Sequence, residues 1–296
     1  MKVLLTGASG QLGRELALIL KDNCSLIATS RSDTEYVIDL NRPDSICNII
    51  REIKPDVVVN AAAYTDVERA EQEYELAMNI NGIAPGIIAE EAKTINAALI
   101  HFSTDFVFDG MANHPYTEQD VANPLSTYGK SKLAGEKAIE EVNGSYIIFR
   151  TAWLYSMQGR NFLTTIRKLA IEKEELNVVN DQIGSPTWCR SIANLTNTIL
   201  FNQNRSIHDL FEKYIGTYHA TSDGSCSWYD FACVILENLK KDGHDQVANV
   251  KPVSSADYSS KVKRPAYSVL DNSKLFKTFN IKLPNWKDAL EQAWNK

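Results

Sequence analysis

Residues 3–16, "VLLTGASGQLGREL", set three glycines, Gly7, Gly10 and Gly13, three residues apart between an apolar run and a helical pattern. Glycine takes positive φ without steric cost and lets a ligand or another backbone approach more closely than a Cβ permits. In a turn from a strand into a helix, such residues leave the helix N-terminus open, so its free N–H groups and positive dipole end face an anion. A diphosphate is the natural occupant. The spacing is G-x-x-G-x-x-G, not the G-x-G-x-x-G of the dinucleotide fingerprint. A plain glycine-rich connection competes with the cradle on the motif alone; the position after the first strand favours the cradle.

Working outward, short β-branched runs alternate with longer helical patterns. "KVLLT", "SLIAT", "YVID", "DVVVN", "ALIHFS" and "SYIIF" read as strands, and residues 11–21, 45–53, 74–94 and 127–142 as helices. Strands apolar at almost every position are covered on both faces, which predicts an α/β fold with a doubly wound, Rossmann-like parallel sheet. Beyond residue 150 the pattern is less regular, with helices at 162–173, 191–201 and 228–240 and turn-rich links such as "NDQIGSPT". We therefore expect a dinucleotide-binding domain over 1–150 and a smaller, mainly substrate-binding region over 151–296, with the chain crossing back to the sheet.

Composition narrows the function classes. With 296 residues, 44% of them hydrophobic, the chain can bury a sizeable core. Its net charge of −6 comes with dispersed basic residues, so nucleic acid is not an expected partner. There is no basic segment leading into an apolar stretch and no run of about 18 apolar residues, so neither a signal peptide nor a membrane span is expected, and the cytoplasm is the expected location. The five cysteines are odd in number and lack C-x-x-C spacing, which reads as reduced packing residues. The five histidines show no ligand spacing and no acidic pair suits an ion, so no metal is predicted.

The second strand ends near Thr29, where an acidic residue would favour a free ribose 2′-OH and an arginine a 2′-phosphate. Here Ser30 and Arg31 follow. That favours NADPH over NADH, unless Arg31 is simply a solvated surface residue. Asp39 and Leu40 would flank the adenine, and the small residues of "NAAAYT", Ala61 to Thr65, would let a dinucleotide pass.

Of the twelve tyrosines, only Tyr128 is followed four residues later by lysine, Lys132. On a helix the two side chains share a face. A neighbouring ammonium favours the phenolate, which predicts a Tyr128 hydroxyl lowered toward neutrality and usable in proton transfer. An exposed Tyr and Lys on a solvated helix face is the bland alternative. Against it, "HFSTD" ends a predicted strand at Ser103, Thr104 and Asp105, on the edge where open α/β sheets bind ligands, so Thr104 is placed to hydrogen-bond a substrate oxygen beside Tyr128.

Taken together, "TGASGQLG", "NAAAYT", "STDFVFDG", "YGKSKLAGE", "RTAWLY", "NDQIGSPT" and "RPAYSVLD" resemble the extended short-chain dehydrogenase/reductases, and among them the reductases of dTDP-linked 4-keto-6-deoxy sugars. The resemblance implies Tyr128 as proton donor, Lys132 as the residue that tunes it and holds the nicotinamide ribose, and Thr104 as the group orienting the substrate oxygen. It also implies Gly10, Gln11 and Leu12 at the diphosphate, Asp39 and Leu40 at the adenine, and Ala63, Tyr64 and Thr65 along the cofactor's path. Asp105 and Trp153 would lie against the sugar substrate, and Arg264 would pair its diphosphate. Phe106 departs from the tyrosine common in such proteins. Dehydratases of this fold carry a glutamate base there, so Phe106 disfavours dehydration. Another nucleotide-sugar reductase or epimerase, or a non-catalytic NADP-binding module, remain the alternatives, and a homodimer is an assembly the resemblance allows.

Overall fold

In a computed structural model describing residues 1–32, 34–201, 206–258 and 262–295, the apolar runs become strands stacked edge to edge. Up to Thr151 the order is β1 (Lys2–Thr6), α1 (Gln11–Leu20), β2 (Ser25–Ser30), β3 (Tyr36–Val37), α2 (Pro43–Ile53), β4 (Val57–Asn60), α3 (Val67–Ala70), α4 (Tyr74–Met78), α5 (Ala84–Thr94), β5 (Ala98–Thr104), α6 (Thr127–Val142) and β6 (Tyr146–Thr151). There follow β7 (Leu154–Tyr155), α7 (Phe162–Glu172), β8 (Glu175–Val179), β9 (Ile183–Gly184), β10 (Thr187–Trp188), α8 (Cys189–Phe201), α9 (Ile207–Tyr214), β11 (Gly216–His219), β12 (Cys226–Ser227), α10 (Trp228–Lys241), β13 (Asn249–Val253), α11 (Ser273–Phe279) and α12 (Trp286–Trp294).

Seven strands form one parallel sheet in the order β11-β6-β5-β4-β1-β2-β3. Side chains alternate between its two faces. Leu4, Val58, Leu99 and Ile148 point to one side, where they pack with Ile46 and Ile50 of α2, Ile88 of α5 and Ile139 of α6. Val3, Leu5, Val57, Val59 and Phe149 point to the other, against Leu12 and Leu16 of α1 and Ile192 of α8. This is the doubly wound α/β sheet expected of strands apolar on both faces. A separate core of Tyr155, Leu163, Ile166, Phe231, Ile235, Trp286 and Leu290 holds α7, α10 and α12 together. The chain returns from that region to add β11 beside β6.

The strand order reverses at β1, which pairs with β2 on one side and β4 on the other. Ligand crevices of open sheets form beyond the carboxyl ends of strands at such a point. Thr6, Asn60, Thr104 and Thr151 close their strands at this edge.

Two local differences from the sequence expectations have clear causes. "YVID" gives only a two-residue strand, because Asp39 turns its carboxylate onto the Asn41 N–H and starts an Asx turn. The helix expected over 74–94 is interrupted by a π-helical turn at Asn79–Ile83. That turn aims the buried Asn81 amide at the Tyr64 N–H and carbonyl and at Ser131 Oγ of α6. Such wide turns cluster at functional sites. Among the described residues no helix is long and apolar enough to cross a membrane.

Candidate active site

A cavity of about 790 Å³ opens at the carboxyl edge of the sheet. Its walls bring together residues far apart in sequence: Gly7, Gly10, Gln11 and Leu12; Ser30 and Arg31; Asp39 and Leu40; Ala63, Tyr64 and Thr65; Thr104 and Asp105; Tyr128 and Lys132; and Trp153. Gly13, expected among the cofactor-binding residues, does not line the cavity. A Cβ there would lie 2.0 Å from the Gly7 carbonyl oxygen, so glycine at 13 is required by the packing of the helix on its own turn. Gly7 has φ +72°, and its missing Cβ makes room for the Ala62 backbone at the end of β4.

Gly10 is the N-cap of α1, and no side chain caps the helix. Its first N–H groups are thus left for a ligand, as an anion cradle requires. Ser103 Oγ and Thr151 Oγ1, also on the cavity wall, are buried without a partner in the described chain. Gln11 ties this turn to the second region, its amide oxygen accepting from Asn161 Nδ2 at 2.7 Å. An open helix end, a wall of small residues at Ala61–Ala63 and unpaired polar groups fit an extended dinucleotide.

Tyr128 sits in the first turn of α6. Ser126 caps this helix by accepting from the Gly129 N–H, and Glu71 accepts from both the N–H and hydroxyl of Thr127. Gly129 lets the turn pack against the end of β5, since a Cβ would fall 2.2 Å from the Phe106 carbonyl oxygen. Phe106 meets the Tyr128 ring edge-on, centroids 5.6 Å apart. Thr104 Oγ1 donates to Asp105 Oδ1 at 3.1 Å and accepts from the Phe106 N–H at 3.2 Å, on the same cavity wall as Tyr128.

The expectation that Lys132 pulls the Tyr128 hydroxyl down is overturned. The protein packed around the phenol pushes it up from 10.0 to about 12, the Thr104 hydroxyl working against the rise and the Asp105 charge with it. Lys132 itself is 1% exposed and turned into the sheet edge, where Nζ donates to the Phe102 carbonyl at 2.6 Å and lies 3.1 Å from His101 Nε2. Burial brings its ammonium down to about 8, with Glu136 opposing. Spacing along a helix gives a shared face; it does not give the desolvation that decides these two groups.

Burial raises the Asp105 carboxyl from 3.8 to about 6, against hydrogen bonds from Ser268, Thr104 and the backbone. The folded chain therefore binds a proton more readily than the unfolded chain, and this group destabilises the fold as pH rises from 3.8 through about 6. Asp105→Asn should gain up to about 3 kcal/mol above that window and nothing below it. Urea unfolding on each side of the window measures the difference.

Trp153 holds a left-handed backbone, φ 47°, and stacks on Trp228 of α10 with centroids 3.4 Å apart. Its indole lies where a Cβ of Gly184 would be, 2.4 Å from that position, which explains the glycine of "NDQIGSPT". Arg264 is not on the cavity wall; its guanidinium lies 3.6 Å from Glu68. Sequence reading missed His101, Asn60, Asn81, Trp228 and the buried Arg150–Glu136 pair, whose closest atoms are 2.7 Å apart. A histidine inside the apolar run "ALIHFS" was the one visible signal, since a buried polar group needs a partner.

Comparison with known proteins agrees with this geometry. The RmlD substrate binding domain family matches residues 1–296. The chain is 41% identical to the dTDP-4-dehydrorhamnose reductase of Burkholderia thailandensis over 98% of this chain and 97% of that one. The crystal structure of a dTDP-4-dehydrorhamnose reductase from Clostridium acetobutylicum superposes with a TM-score of 0.89 at 39% identity, covering 100% and 99% of the two chains. The Bacillus anthracis dTDP-4-dehydrorhamnose reductase, solved in complex with NADP, gives 0.89 at 33% identity, covering 99% and 98%. The chain therefore belongs to the RmlD family of dTDP-4-dehydrorhamnose reductases.

Proposed function

We propose that the chain reduces the C4 keto group of dTDP-4-dehydro-L-rhamnose to dTDP-L-rhamnose with NADPH, Tyr128 giving the proton. The observation that carries this reading is one cavity holding the uncapped end of α1 together with Thr104, Tyr128 and Lys132.

Gly7, Gly10, Gln11 and Leu12 hold the cofactor diphosphate, Ser30 and Arg31 the 2′-phosphate, and Asp39 and Leu40 the adenine. Ala63, Tyr64 and Thr65 flank its path, and Lys132 holds the nicotinamide ribose. Thr104, Asp105 and Trp153 face the sugar, with the region after residue 150 forming most of the substrate side. A bound reduced nicotinamide supplies the hydride. Tyr128, with its hydroxyl at about 12, is protonated at neutral pH and is a donor before the reaction begins. Negative charge grows on the sugar O4 only as C4 is reduced, so hydrogen bonds from Tyr128 and Thr104 tighten toward the transition state. The Tyr128 proton then passes to O4. Lys132, charged below about pH 8, offsets the phenolate left behind.

The test crosses NADPH and NADH against dTDP-linked and UDP-linked 4-keto-6-deoxy sugars, following loss of reduced-nicotinamide absorbance. Consumption that needs both partners, with NADPH preferred through Arg31, is expected. Binding of NADPH without consumption in the presence of every keto sugar would overturn the reading.

A further inference from the structure

Behind Lys132 lies a buried chain of polar groups that the reduction as described does not use. Asn60, at the end of β4, is 1% exposed, and His101, in the middle of β5, is fully buried. Asn60 Oδ1 accepts from Thr6 Oγ1 at 2.6 Å and from the Ala62 N–H at 3.3 Å. A backbone N–H can only donate, so this end of the amide is the oxygen and the other is the NH₂. The NH₂ faces His101 Nδ1 at 3.1 Å. Nδ1 is therefore an acceptor, and the neutral imidazole carries its proton on Nε2.

That nitrogen lies 3.1 Å from Lys132 Nζ. An Nε2–H and an ammonium are both donors and oppose each other, whereas an amine can accept from the imidazole while donating to the Phe102 carbonyl. We propose that Asn60 and His101 are positioning residues for Lys132: the amide fixes the Nε2–H tautomer, and that N–H favours the lysine amine, poising Lys132 to release a proton. Resting on the assignment of Tyr128 and Lys132 above, this gives the proton a balanced route. Tyr128 gives its proton to the sugar O4, an ammonium N–H of Lys132 reprotonates the phenolate oxygen, and the resulting amine accepts from His101 Nε2–H. Solvent returns a proton to Lys132 between turnovers.

The titratable groups around Lys132 are few. Its charge is coupled to His101 from β5 and to Glu136 from its own helix; Tyr128, one turn earlier on that helix, lines the same cavity and is acted on by Asp105 from the segment after β5. Glu136 is paired with Arg150, and the π turn Asn79–Ile83 packed on the same helix has no titratable side chain. His101 is held neutral, first by burial and then by the Lys132 charge.

The test uses the ligand-free, full-length protein, so it does not depend on turnover. Nitrogen NMR of ¹⁵N-histidine-labelled protein, with only five histidines to assign, reads the tautomer of His101 at a pH above the Lys132 titration. The Nε2–H form is expected, and an Nδ1–H form overturns the proposal. In Asn60→Asp a carboxylate oxygen accepts from Nδ1–H instead, which bares Nε2 toward an ammonium. The proton on His101 should move to Nδ1 and the Lys132 titration, followed by its ¹³Cε resonance, should rise by about one pH unit or more. An unmoved tautomer and titration in this variant overturn the proposal; if the variant does not fold, the wild-type tautomer decides alone. Full turnover in Tyr128→Phe would instead contradict the catalytic assignment while leaving both NMR readings intact.

Discussion

Tyr128→Phe should lower kcat by a factor on the order of 10²–10⁴, the usual contribution of a general acid, while NADPH still binds. The substitution removes one oxygen and leaves the ring in its edge-on contact with Phe106. The capping of α6 by Ser126 and the Glu71 contacts to Thr127 are untouched, so the helix that carries the residue stays in place. What disappears is the proton that must reach O4 and a hydrogen bond that strengthens as charge develops there. Thr104 alone then faces the growing alkoxide, and solvent has to supply the proton. Stopped-flow single turnovers with saturating NADPH measure the chemical step directly. A rate equal to wild type would remove Tyr128 from the mechanism.

Gly13→Ala should be severely damaging. The added Cβ would lie 2.0 Å from the Gly7 carbonyl oxygen, 2.7 Å from its carbonyl carbon and 2.8 Å from the Ala8 Cα. All three are backbone atoms of the cofactor turn. Gly7 cannot yield, because it is held at φ +72° with the Ala62 backbone filling the space beside it. Overpacking of this kind costs about 3 kcal/mol or more, and a displaced turn should lower kcat/KM on the order of 10²-fold. Gly10→Ala is the control. Its Cβ meets only the Gly7 oxygen, at 3.2 Å, so stability should change much less. Thermal unfolding and NADPH titration of the two variants separate the effects; equal losses in both would contradict this account of the turn.

The glycine stretch was legible because a strand, a turn and a helix within fourteen residues are a local matter, and local geometry is what sequence spacing encodes. Gly7, Gly10, Gln11 and Leu12 line the cavity, whereas Gly13 packs on the Gly7 carbonyl and does not. Tyr128 and Lys132 were legible for the same reason. The direction of the Tyr128 titration was not, since it depends on how much protein the tertiary fold packs around the phenol. Lys132 was read as a partner of Tyr128, yet its nearest polar neighbours come from β5, thirty residues away. The Trp153–Trp228 stack and the Asn60–His101 contact likewise join segments far apart in the chain. No spacing rule connects them: the β4–β5 register sets Asn60 opposite His101, and tertiary packing of the start of α10 brings Trp228 onto Trp153.

Transfer of label from cofactor to sugar tests the central claim most directly. A single turnover is run with NADPH bearing deuterium at the transferring C4 position, and the dTDP-sugar product is analysed by mass spectrometry and NMR. The account predicts deuterium at the sugar C4, with its hydroxyl hydrogen drawn from the exchangeable pool through Tyr128. Sugar converted without deuterium at C4, or without loss of reduced cofactor, would contradict it.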